Sequence, residues 1–101
     1  MNRTELYRLA LERWGVQAQV GMAVEECAEF VVAVMKQGRN VNGATTEDLC
    51  GEIADVEIMM EQMHVIFNHD TIEKLKKQKL ERLAGLLEVD LDCLDSEAER
   101  G

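Results

Sequence analysis

This 101-residue chain is predicted to be all-α, with four helices and no β-strand, on three observations. It contains no proline, so no residue type in it obliges a helix to break. Its apolar residues recur at intervals of three and four and never in the strict alternation of a half-buried strand. Between the periodic stretches stand helix stop and start signals: Gly15, Gly38, Thr45-Thr46-Glu47-Asp48 and Asn68-His69-Asp70.

The first helix is expected from Thr4 to Trp14, with Leu6, Leu9, Ala10 and Arg13 at helical spacing and Gly15 ending or kinking it. The second runs from Val16 to Gln37 and stops at Gly38, a favourable residue just past a helix end. Residues Gly38 to Ala44, with Asn40, Asn42 and Gly43, read as a polar loop. Thr45 and its neighbours then supply an N-cap for a third helix reaching Phe67. Asp70-x-x-Glu73 resembles a capping box for a fourth helix, from Thr71 to Glu88. Residues 1–88 thus form one helical domain. Residues 89–101, with Asp90, Asp92, Asp95, Glu97 and Glu99, form an acidic tail expected to be poorly ordered.

A monomer of this length buries only roughly 60–65% of its unfolded surface, yet 47% of the residues are apolar. Helices apolar around much of their circumference need more than one neighbour, which points to a homodimer or larger assembly. The net charge of −9 argues against nucleic-acid polymers and anionic membranes as partners. Cys27, Cys50 and Cys93 include no C-x-x-C pair, and Cys27 falls on an apolar stripe. With no basic-then-apolar leader and no long apolar run, these features fit a reduced, cytoplasmic protein.

Two carboxylate pairs carry the chemistry: Glu26-x-x-Glu29 on the second helix and Glu52-x-x-Asp55 on the third. At i,i+3 spacing the members of each pair share a helix face, where like charges repel by a few tenths of a kcal/mol. No basic residue stands four positions on to offset this, since Phe30, Ala33, Val56 and Met59 occupy those places. If the two helices pack side by side, four acidic groups converge. A hard divalent cation would relieve the repulsion, and carboxylate oxygens suit magnesium and manganese. On the second helix Val20, Val24, Cys27, Val31 and Met35 read as a core stripe, with Met22, Glu26, Glu29 and Ala33 opposite. On the third, Leu49, Ile53, Val56, Met60, Met63 and Phe67 form an apolar arc with Glu52 at its edge, while Glu57, Glu61 and His64 make the polar face.

Several cations are placed to meet an anionic ligand. Lys36 follows Glu29 by seven residues, on nearly the same face, and Lys76, Lys79 and Arg82 succeed one another at i+3 spacing on the fourth helix. They could contact phosphate oxygens, or simply form a solvated face. Trp14 could stack on a base or anchor the first helix. Glu61-x-x-His64 has a di-iron spacing but lacks the second such motif. Asp90-x-Asp92-x-x-Asp95 lacks the glycine and terminal glutamate of a calcium loop.

With these residues in place, the chain resembles the MazG-like, all-α nucleoside triphosphate pyrophosphohydrolase superfamily. The likeness is carried by Val24-Glu25-Glu26-Cys27-Ala28-Glu29-Phe30, by Glu52-Ile53-Ala54-Asp55-Val56-Glu57-Ile58-Met59 and by Lys79-Leu80-Glu81-Arg82. It covers Trp14 to Leu83. The resemblance implies a four-helix MazG-like bundle assembled as a homodimer or tetramer, with Mg²⁺, or Mn²⁺, held by Glu26, Glu29, Glu52 and Asp55. It implies hydrolysis of a nucleoside triphosphate between its α- and β-phosphates, giving the monophosphate and pyrophosphate. Lys36, Lys79, Arg82 and Trp14 would then bind substrate, and Glu25 is a candidate general base. The tyrosine–histidine signature of phosphoribosyl-ATP enzymes is missing after Glu52-x-x-Asp55. The competing expectation is a non-catalytic helical dimerisation or regulatory module that keeps the fold.

Overall fold

The computed structural model describes residues 1–38 and 45–91. Within them lie four helices, α1 (Arg3–Trp14), α2 (Val16–Gly38), α3 (Thr46–Ile66) and α4 (His69–Leu87), and no strand. None of these helices is long and apolar enough to cross a membrane. The expected loop at 39–44, most of the acidic tail (92–101) and Cys93 lie outside the described residues. The chain divides into two compact units, Met1–Phe67 and Asn68–Gly101.

In the first unit, α1 opens with a capping box in which the Asn2 side chain accepts from the Glu5 N–H at 2.9 Å and Glu5 accepts from the Asn2 N–H at 3.1 Å. It closes at Gly15, whose φ of 87° lies in the region that favours glycine. There the Gly15 N–H still donates to Leu11, while its carbonyl already accepts from Gln19. One residue thus ends α1 and starts α2. Thr45 caps α3 through the same reciprocal device, with Asp48 as its partner.

Helices α2 and α3 pack along their length as an antiparallel hairpin. Gln37 bonds Thr46 at one end, Glu26 and Glu29 meet Glu52 in the middle, and Gln19 shares a groove with Gln62 at the other. The side of α2 turned to α3 is not the expected one. Val24, Val31 and Met35 are 65%, 57% and 53% exposed, whereas Gln19 and Ala23 are buried. The valine stripe therefore faces away from α3. Periodicity identifies an apolar face but not the neighbour that covers it, and α3 instead takes the face bearing the carboxylates. The apolar arc expected on α3 is likewise only partly covered: Ile53, Met60 and Phe67 are exposed, and Met59 and Gln62 are the buried residues.

The third helix also does not present Glu61 to solvent as an unengaged polar residue. Arg3 donates to Glu61 Oε2 at 3.0 Å and the Tyr7 hydroxyl donates to Glu61 Oε1, which ties α1 onto α3. The hydrogen bond to Glu61 is the main influence raising the Tyr7 pKa above its ordinary value, with burial second. In the second unit, α4 begins two residues earlier than expected. Asn68 rather than Asp70 is its cap, its side chain accepting from the Thr71 N–H at 2.9 Å. The helix ends at Glu88, in the left-handed conformation, whose N–H turns back to Ala84 and Gly85.

Candidate metal centre and flanking grooves

The antiparallel register of α2 and α3 brings Glu26, Glu29 and Glu52 together, each offering an oxygen within 4.8 Å of the others. Glu26 and Glu52 are half-buried and Glu29 is exposed. One oxygen of Glu26 and one of Glu52 are fully enclosed and have no hydrogen-bond partner. Enclosed carboxylate oxygens without a partner are rare and unfavourable. Asp55 stands outside the tight trio, yet its charge bears on Glu26. Burial raises the Glu26 pKa above its ordinary value, and the charges of Glu29, Asp55 and Glu52 push it further the same way. Among the described residues, no lysine or arginine is paired with any of the four.

This donor set fits a hard divalent cation. It is all oxygen and all anionic, and its two orphaned oxygens are those that coordination would satisfy. The sequence motifs identified the four carboxylates; the structure adds that the two enclosed oxygens come one from each helix.

A groove of about 440 Å³ adjoins the trio, lined by Glu29 and Glu52 together with Ala28, Val32, Ala33, Lys36 and Asp48. Lys36 is therefore beside the carboxylates, as its seven-residue spacing from Glu29 predicted. Asp48 is an addition that the motifs did not signal. Its carboxylate accepts from the Thr45 N–H, which is the first cause holding its pKa below the ordinary range. Glu25 is exposed on α2, one position round from Glu26. Trp14, 63% exposed, is at a second, more apolar groove of about 700 Å³ that α1 forms with α2 and α3. Lys79 and Arg82 are exposed on α4, in the second unit.

No protein-family model, curated protein or solved structure matches the chain.

The pKa of Glu26 gives the metal-free protein a distinctive pH response. A carboxyl whose folded pKa lies above its unfolded value, about 4.3, holds its proton more tightly when folded. Its contribution to stability is therefore greatest at acidic pH and is lost as pH rises through the folded pKa. In chelator, the melting temperature of Glu26→Gln is expected to exceed that of the wild type at pH 7, with the gap narrowing toward pH 4. Thermal melts of both proteins across that range check this; a gap that widens on acidification contradicts it.

Proposed function

We propose that the chain is a Mg²⁺-dependent (deoxy)nucleoside triphosphate pyrophosphohydrolase, acting as a cytoplasmic homo-oligomer. The observation that carries this reading is the convergence of Glu26, Glu29 and Glu52, with two enclosed, partnerless oxygens, beside a groove that Lys36 lines together with Glu29 and Glu52. A bare acidic trio repels a triphosphate. Loaded with a divalent cation and flanked by an ammonium, it attracts one. The sequence resemblance to MazG-like enzymes points to the same substrate.

Glu26, Glu29, Glu52 and Asp55 would hold Mg²⁺, with Mn²⁺ as a substitute, and the ion supplies Lewis acidity toward a phosphate and an attacking water. Lys36, beside the carboxylates, would offset phosphate charge. Glu25 is the candidate for taking the proton as water attacks the α-phosphorus. The bond from that phosphorus to the α–β bridging oxygen breaks, and pyrophosphate leaves with the bridging oxygen. Trp14 would face the base.

A second copy of the chain is proposed to cover the outward stripe of α2. Val20, Val24, Cys27, Val31 and Val34 follow one another at alternating spacings of four and three, the pattern of a helix–helix seam. Val24, Val31 and Val34 of that seam are exposed among the described residues, at 65%, 57% and 40%. The same seam favours the alternative reading, a helical dimerisation module without turnover. Product analysis separates the two. Incubation with each common NTP and dNTP plus Mg²⁺ is expected to yield pyrophosphate, with EDTA stopping the reaction. Orthophosphate as the direct product, undiminished activity in chelator, or no turnover of any nucleotide rejects the enzyme reading.

A further inference from the structure

The groove beneath α1 combines a largely apolar lining with two buried amides. Leu6, Leu9, Trp14 and Ile58 line it with the exposed, oppositely charged Glu12 and Arg13, together with Gln19 and Gln62, which are only 7% and 3% exposed. Neither glutamine side chain is hydrogen-bonded to another described residue. The fully enclosed orphan side-chain atoms among the described residues are oxygens of Glu26 and Glu52, so the two amides keep an opening into the groove. When an occupant fills the groove these amides lose their access to water, which costs free energy unless the occupant hydrogen-bonds them. A ligand edge presenting both a donor and an acceptor satisfies them, because each amide offers both.

The position of these amides relative to the carboxylates narrows the ligand. Gln19 precedes Glu26 by seven residues and Gln62 follows Asp55 by seven, so each lies on nearly the same helix face as its carboxylate. At 1.5 Å per residue, the amides are about 10 Å along the hairpin from the metal centre. Lys36 lies in the opposite direction, in the groove on the far side of the trio. The strip therefore runs from a cation, through an acidic metal centre, to a largely apolar groove with two amides, an indole and the outer charges of Glu12 and Arg13. A nucleotide has the same order of parts: terminal phosphates, reacting phosphate, base.

We propose that this groove recognises a heterocyclic base, with Gln19 and Gln62 hydrogen-bonding its edge and Trp14 contacting its face. The identity of the ligand rests on the pyrophosphohydrolase reading, whereas binding itself needs neither metal nor turnover. The two amides make the groove a discriminating one, since a ring edge that leaves them unpaired forfeits the hydrogen bonds that a matching edge forms.

Trp14 is the sole tryptophan and reports on the groove directly. The full chain is titrated in EDTA with each ribo- and deoxyribonucleoside while Trp14 fluorescence is followed. A saturable change with at least one base is expected, with about tenfold preference over the poorest. Gln19→Met and Gln62→Met, checked for helicity by circular dichroism, are expected to weaken binding by about tenfold or more. No saturable change with any nucleoside in the wild type overturns the proposal, whether or not the variants fold. Undiminished affinity in both folded variants also overturns it. A fall in particle mass in those variants, without a nucleoside response in the wild type, assigns the groove to a second copy instead and likewise overturns it. Pyrophosphate release measured on the same samples separates the two readings. Turnover without a nucleoside response leaves the enzyme and removes this groove from it; a nucleoside response without turnover does the reverse.

Discussion

Glu29→Gln and Asp55→Asn are expected to reduce pyrophosphate release by at least about 100-fold while leaving the chain folded. Loss of groups that merely orient metal ligands typically lowers affinity or activity 10–100-fold, and loss of a ligand is at least as severe. Both residues are exposed, so an amide of equal volume opens no cavity. Each change also removes one of the negative charges acting on Glu26, so the metal-free variant should melt no lower than the wild type. The decisive readout is independent of turnover. Ligand at 100 times its dissociation constant stabilises a protein by about 2.7 kcal/mol, so Mg²⁺ should raise the melting temperature of the wild type and not of either variant. Full turnover in the variants removes the metal centre from the mechanism. Unfolding would show that these carboxylates serve the structure.

The second large effect concerns assembly. Val24→Asp with Val31→Asp is expected to convert an oligomer into 11.4 kDa monomers or to leave the chain unfolded. A valine passing from exposed to buried gains about 1.5–3 kcal/mol. Both valines are more than half exposed in the single chain. Over a symmetric pair, the exposed parts of four such side chains represent roughly 4–7 kcal/mol, or a factor of about 10³–10⁵ in association. Light scattering at micromolar concentration, with circular dichroism, measures both outcomes. A stable wild-type monomer would falsify the proposed assembly and weaken the resemblance to MazG-like enzymes.

What the sequence made legible was local. Gly15 and Thr45 mark helix ends because a left-handed φ and a hydroxyl cap are decided by one or two residues. The carboxylate trio was legible for a related reason, since two i,i+3 pairs on neighbouring helices can meet only if the helices align. Other features depended on distant partners. Glu61 resembled an ordinary solvent-facing carboxylate until α1 placed Arg3 and Tyr7 against it, from more than fifty residues away. Gln19 and Gln62 carry no apolar signal, so no hydropathy pattern marks them as buried beside Ala23 and Met59 in the hairpin. The valine stripe was misassigned for the converse reason: a face turned away from the neighbouring helix has the same periodicity as a core.

The seven-residue offsets along α2 and α3 limit which length changes this chain tolerates. A residue inserted between Gln19 and Glu26 rotates everything before it by 100° about the helix axis and shifts it by 1.5 Å. Gln19 would then leave the groove while Glu26 kept its place, and Gly15 would carry α1 round with it, away from Glu61. An insertion between Asp55 and Met59 would have the same effect on the other helix. Conservative substitution at any one of these positions alters a single contact, whereas a one-residue insertion or deletion desynchronises all of them together. Drift in length should therefore be excluded from residues 19–29 and 52–62, even where individual side chains are free to change.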